Sequence, residues 1–220
     1  TNLTAAGTIT ATFGGKTASI NPVTITAGAI ASVNIRTAAN NGGSAPATAT
    51  QTVDAINNYY AATYDTYGNY IGDANAVWTS ANLFTNATAI GGTTTVFALT
   101  ATNITGAGSI TATFGGFNDT ISPVSMTVGA LNTLVIRNAA ANGGSAVATL
   151  SQAAGASANL YAAGYDSYGN YIGDQTAAWT STGVFTNGVT IQGTVSPFAA
   201  TATNLTAAGT ITATFGGKTA

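Results

Sequence analysis

The chain has no cysteine, no histidine and no glutamate, and its charged residues amount to 5% of 220. Without cysteine there are no disulfides and no thiolate metal sites, so stability must come from packing and backbone hydrogen bonding. Without histidine or cysteine, Ser-His-Asp and Cys-His nucleophiles cannot be assembled from these residues. A pair of aspartates working as a glycosidase would be the one acid/base arrangement left. Its duplication in two modules of this size would be odd, and no enzyme is expected. Four basic residues and a net charge of -2 leave no electrostatic footprint for nucleic acid. No apolar run approaches the roughly 18 residues that a membrane-spanning helix needs, and no signal peptide falls within this stretch.

What is present is repetition. Thr1–Ala18 recurs letter for letter as Thr203–Ala220, and a diverged copy runs from Thr102 to Asp119, so the spacing is 101 residues (102 minus 1). Fixed-period self-similarity marks a tandem array, and two modules of about 100 residues fit the usual size of one domain each. The agreement between copies is concentrated in patches. TATFGG stands at Thr10–Gly15, Thr111–Gly116 and Thr212–Gly217, and NGGSA at Asn41–Ala45 and Asn142–Ala146. The longest is YDTYGNYIGD at Tyr64–Asp73, matched by YDSYGNYIGD at Tyr165–Asp174, followed by Ala76, Trp78, Thr79 and Ser80 or their counterparts Ala177, Trp179, Thr180 and Ser181.

The periodicity is that of strands. Ile9, Ala11 and Phe13 alternate with Thr8, Thr10 and Thr12 before a Gly14–Gly15 turn, and Ala31, Val33 and Ile35 alternate with Ser32, Asn34 and Arg36. Further strands are predicted over about 58–65, at Ala76–Trp78, at Phe84 and over 95–101, with a tight turn at Tyr67–Tyr70 and a Gly-rich loop at 40–44. Helical spacing is sustained nowhere. About seven short antiparallel strands per module, with turns every eight to twelve residues, predict an all-β fold of tandem immunoglobulin-like β-sandwiches with a period of about 101 residues.

The D-x-Y-G-N turn, the W-T-S strand after it and the closing Gly7–Thr12 strand resemble the bacterial immunoglobulin-like repeats of invasin- and intimin-type surface proteins. Tyr70 stands where that family commonly has proline, and the charge content is lower. The resemblance sets the module register: residues 1–22 are end strands of a preceding module, 23–123 a first module, and 124–220 a second lacking its last strand. A chain so divided is expected to carry an orphan hairpin and an unpaired sheet edge, each a template for another copy.

Candidate chemistry has a structural and a functional reading at each site. Asp65 and Asp73, with Asp166 and Asp174, are the acidic residues kept in both modules; with the Asn69 amide oxygen they offer hard ligands to calcium, or they simply accept backbone N–H bonds at the turn. Arg36 and Arg137 either pair with a local aspartate or lie solvated on a strand face. Tyr67 and Tyr70, with Tyr168 and Tyr171, form an aromatic surface for glycans, or share core and interface duty with Tyr60, Tyr64 and Trp78. Sequons at Asn2, Asn86, Asn103, Asn118 and Asn204 would carry N-linked glycans if the source attaches them. The expected function is structural: an extracellular or cell-surface stalk, adhesin shaft or filament whose partners are other copies of itself. The alternative is a carbohydrate- or host-protein-binding module of a secreted multidomain protein.

Overall fold

A computed structural model describes residues 6–84, 92–104, 106–183, 194–201 and 208–220. It is all-β: no described residue is helical, so no helix is long and apolar enough to cross a membrane. The contacts divide the chain into two compact units, Thr1–Thr127 and Val128–Ala220.

The first unit opens with a hairpin of β1 (Gly7–Phe13) and β2 (Lys16–Val23), turning at Gly14–Gly15. It continues through β3 (Ile30–Arg36), β4 (Ala49–Thr52), β5 (Asn57–Asp65), β6 (Tyr70–Ala74), β7 (Ala76–Ala81), β8 (Gly92–Thr94), β9 (Val96–Leu99), β10 (Gly108–Phe114) and β11 (Phe117–Thr127). Two sheets form from these. In one, β5 is flanked by β3 on one edge and by β9 and then β6 along the other; the second has the order β4-β11-β10-β7-β8. Alternation sends one side of each strand inward, where β-branched and aromatic side chains pack well. Val33, Ile35, Tyr59, Phe97 and Leu99 from the first sheet meet Trp78, Ile110, Ala112, Ile121 and Val124 from the second in one core, which makes the unit a two-sheet sandwich. Trp78 is fully buried, stacked on Phe97 at 4.9 Å, and its indole N–H donates to the Thr94 carbonyl at 3.0 Å.

The second unit repeats this plan with β12 (Thr133–Arg137), β13 (Ser157–Tyr165), β14 (Tyr171–Gln175), β15 (Ala177–Thr182), β16 (Thr194–Val195), β17 (Phe198–Thr201), β18 (Thr210–Phe215) and β19 (Lys218–Thr219). Its core gathers Ile136, Leu160, Trp179, Phe198 and Ala213, with Trp179 stacked on Phe198 at 4.8 Å.

Two expectations need correction. Pairing is not all antiparallel: β4 and β11 run parallel, Val124 opposite Ala49 through Thr127 opposite Thr52. That pairing forms because β11 continues past its hairpin with β10, reaching an edge that a simple meander leaves open. Phe84 belongs to no strand; it lies just beyond β7 and packs against the core as a single partly buried ring.

The three copies of the TATFGG strand have three fates. Ile110 in β10 is 0% exposed, and its counterpart Ile211 in β18 is half-buried. In β1, Ile9 is 59% exposed and Phe13 92%, while Ile20 across the hairpin is 64% exposed. The hairpin is held by its own ladder and by a hydroxyl pair, Thr10 to Ser19 at 2.9 Å, with no sandwich covering its apolar side.

Candidate functional site

Two of the patches that recur along the chain, the Gly-rich loop and the turn after it, come together in each unit as one hydrogen-bonded cluster. Its centre is the turn between β5 and β6. Asp65 is the last residue of β5, and its carbonyl accepts the Gly68 N–H at 3.0 Å while its own N–H donates to the Asn69 carbonyl at 3.0 Å. Gly68 takes φ of +78°, a conformation that glycine enters without a Cβ clash. The Asp65 carboxylate is buried, and its oxygens accept from the backbone N–H groups of Tyr67 (2.9 Å), Asn69 (2.9 Å) and Gly28 (3.0 Å) and from the Asn69 side-chain amide (2.9 and 3.1 Å). The Asn69 amide, then the Gly28 N–H, stabilise the anion and hold the Asp65 carboxyl well below the usual carboxylate range. Asp166 repeats the arrangement with Gly129, Tyr168 and Asn170. Burial pushes its pKa upward, but the Asn170 amide and the three backbone donors outweigh burial and leave it lowered.

Asp73 faces a different set of partners. One of its oxygens accepts the Tyr70 hydroxyl at 2.8 Å and the other the Asn40 N–H at 2.8 Å, which ties β6 to the Gly-rich loop. Asp174 does the same with Tyr171 (2.7 Å) and the Ala141 N–H (2.9 Å). Burial and the neighbouring carboxylate both favour the neutral phenol, so the hydroxyls of Tyr70 and Tyr171 are pushed up to about 12.

The loop is braced from inside by arginine. Arg36 extends from the end of β3 and donates to the carbonyls of Asn41 (2.9 Å), Gly42 (3.2 Å) and Gly43 (2.8 Å); Arg137 donates to Gly143 (3.0 Å) and Gly144 (2.8 Å). Neither the ion pair with aspartate nor a purely solvated arginine describes them: each guanidinium fills a ring of loop carbonyls. Gly43 has φ of +62°, and a Cβ there would lie 2.3 Å from Thr37 Oγ1, so the loop closes only on glycine. The hydroxyl of Tyr64 bonds the Asn41 side chain, and Tyr165 bonds Asn142 in the same way.

The proposed glycan surface divides into two kinds of ring. Tyr67 and Tyr168 project from the turn at 73% and 54% exposure. Tyr70 and Tyr171 are half-buried and meet Tyr64 and Tyr165 at interplanar angles of 63° and 59°, with centroids 6.0 and 5.8 Å apart, so the rings do not form one flat platform. Among the described residues no three acidic side chains gather at one point. Of the sequons, Asn2, Asn86 and Asn204 lie outside the described residues. Asn118 is exposed near the start of β11, and Asn103 donates its side-chain amide to the Asn82 carbonyl at 3.1 Å.

Three polar residues carry contacts that the sequence did not point to. Asp119 reaches from β11 to accept the Ile35 N–H at 2.7 Å, joining the two sheets; its counterparts are Ala18 and Ala220, so within-chain repetition gave no signal for it. Gln51 donates to the carbonyls of Ala55 (2.8 Å) and Leu99 (2.8 Å), and Gln152 makes the same two contacts with Ala156 (2.7 Å) and Ala200 (3.0 Å). The recurrence of this glutamine 101 residues apart was the available clue.

No family model matches the chain, and no curated protein matches it. Among solved structures it is similar to a structure of surface layer protein SbsC, domains 4-9, at 18% identity over 98% of this chain and 34% of that one, with a TM-score of 0.26. The chain thus spans about a third of that structure's length. A TM-score that low carries no argument, so the fold stands on its own strands and the function on its own residues.

Proposed function

We propose that the chain is a structural repeat of an extracellular or cell-surface assembly, a shaft or filament of immunoglobulin-like sandwiches. The observation that carries this reading is the use to which the recurring polar residues are put. Asp65, Asp73, Arg36 and Asn69 have their hydrogen-bonding groups directed at the chain's own turns and loops, as have their counterparts one period on. Such a cluster makes a stiff module end. A surface of hydroxyls and amides with 5% charge allows repeats to pack without mutual repulsion.

Tension along β11 loads its parallel ladder with β4 in shear, so several bonds must break together. The second unit has no parallel pair in this position among its described strands. Single-molecule force spectroscopy of the full chain should therefore give two separate unfolding events, each releasing on the order of 300 Å at ~3.3–3.6 Å per residue, the stronger from the first unit. A featureless extension with no resisting event would overturn the mechanical reading.

The second reading is a glycan- or host-protein-binding module, favoured by the outward projection of Tyr67 and Tyr168. Binding to a glycan array that is lost in Tyr67→Ala and Tyr168→Ala would establish it in place of the first.

A further inference from the structure

The Gly-rich loops of the two units share one sequence, NGGSA at Asn41–Ala45 and Asn142–Ala146, and each opens with an Asn-Gly pair. In such a pair the backbone nitrogen of the glycine can attack the asparagine Cγ to close a five-membered ring. The attack is intramolecular, and glycine has no Cβ to block it. Two oxygens gain negative charge on the way. Loss of the Gly42 proton leaves charge shared between its nitrogen and the Asn41 main-chain carbonyl, and formation of the new bond gathers charge on Asn41 Oδ1.

In the first unit both oxygens already face a donor. Arg36 Nη2 donates to the Asn41 carbonyl at 2.9 Å, and the Tyr64 hydroxyl donates to Asn41 Oδ1. A cationic donor stabilises developing charge more than it stabilises the neutral amide. In the second unit the Tyr165 hydroxyl meets Asn142 Oδ1 in the same way, but Arg137 directs its donations to Gly143 (3.0 Å), Gly144 (2.8 Å) and the Tyr165 hydroxyl (3.4 Å). The rest of the setting is shared. Asn41 and Asn142 are both exposed with φ of 61°, and the Gly42 and Gly143 N–H groups donate alike to the carbonyls of Ala39 (3.0 Å) and Ala140 (2.8 Å).

We propose that Asn41-Gly42 is a self-modification site, at which Arg36 and Tyr64 promote closure to a succinimide. The bond from Gly42 N to Asn41 Cγ forms, the Cγ–Nδ2 bond breaks, and the side-chain nitrogen leaves as ammonia with the proton that Gly42 gave up. Water then opens the imide at either carbonyl, giving aspartate or isoaspartate. Neither an enzyme nor an oxidant is required. The isoaspartyl form adds a methylene to the backbone of a loop in which a Cβ on Gly43 would already lie 2.3 Å from Thr37 Oγ1. The modified loop therefore loosens its grip on Arg36 and Asp73, and the first unit's end softens with age. The inference goes beyond the mechanical reading, because the chemistry would run equally in a binding protein.

The second unit supplies the control within the same molecule. Full-length protein aged at mildly alkaline pH is digested with trypsin, which separates the sites because Asn41 lies between Arg36 and Arg137 and Asn142 beyond Arg137. Mass spectrometry with fragment ions then locates each change. In the folded chain, aspartate and isoaspartate should accumulate at Asn41 about three- to tenfold faster than at Asn142, the worth of one charge-assisted hydrogen bond at a solvated site. In denaturant the two rates should converge, since the four residues that follow are the same. Arg36→Lys, which keeps the charge and the trypsin site but loses the fork that spans the loop carbonyls, should bring the Asn41 rate down to that of Asn142. Tyr64→Phe should slow it as well. Folded-state rates that are equal or faster at Asn142, a difference that persists in denaturant, or an Asn41 rate that Arg36→Lys leaves unchanged or raises would each overturn the proposal.

Discussion

Truncation of one isoleucine in three copies of one strand separates the effect of sequence from that of burial. Ile110→Ala removes three carbons from a side chain with no exposed surface. At ~0.8 kcal/mol per buried methylene the transfer loss is about 2.4 kcal/mol, and the cavity left behind raises the cost to about 3–4 kcal/mol. Against the 5–15 kcal/mol typical of a domain, that is a large share of the first unit's stability. Ile9→Ala occupies the same place in the motif but starts 59% exposed, so its cost should stay within about 0.5 kcal/mol. Ile211→Ala, half-buried against the second core, should fall between the two and weaken the second unit. Native-state hydrogen exchange read by mass spectrometry distinguishes the units, because β5 and β13 yield different peptides. Measurements at low protein concentration keep association out of the comparison. Equal losses for Ile9→Ala and Ile110→Ala, or a loss from Ile110→Ala shared evenly by both units, would refute the reasoning.

Glycine gives a companion test: a Cβ on Gly108 would meet the Ala81 carbonyl and Leu83 at 2.3 Å, whereas on Gly7 it meets nothing nearer than 4.0 Å, so Gly108→Ala should lower the melting temperature and Gly7→Ala should not. Asp119→Ala strips the Ile35 N–H of its acceptor and should cost the first unit about 1–3 kcal/mol in a urea titration, leaving the second unit unchanged. Because the phenols of Tyr70 and Tyr171 are raised to about 12, their contribution is full below pH 10 and lost as pH rises from 10 through 12. Thermal melts at pH 9 and pH 12 should differ accordingly, and Tyr70→Phe with Tyr171→Phe should reduce the difference. The lowered carboxyls of Asp65 and Asp166 act in the opposite direction: their contribution is present above about pH 4, near the ordinary carboxyl value, and disappears as pH falls below it, which melts between pH 5 and pH 2 would register. Since N–H donors surround the Asp65 carboxylate, calcium and chelator should leave the melting temperature alike; a rise with calcium would establish a cation site.

The strands were readable wherever period-2 alternation ran between glycine turns. Thr8–Phe13, Ala31–Arg36 and Asn58–Asp65 all lie in strands within a residue or so of expectation, and Trp78 is buried where a central strand would bury it. The turn expected at Tyr67–Tyr70 lies two residues earlier at its start, between Asp65 and Asn69, with Tyr70 already in β6; its existence was legible because its hydrogen bonds are local. The Asp73–Asn40 and Arg36–Gly43 contacts were not, since each joins segments by paths that no periodicity encodes. The parallel pairing of β4 with β11 was missed for the same reason: ATQT carries little strand signal and becomes a strand only because Val124–Thr127 lie beside it.

The sequence by itself determined the period, the strand class and the identity of the two hairpin copies, since these depend on residue type and spacing along the chain. Tertiary structure alone decided what those copies are worth. Ile9, Ile110 and Ile211 share one local sequence, yet one is exposed, one is fully buried and one is intermediate. Burial is a property of what lies across the core, and a strand's own letters do not carry it.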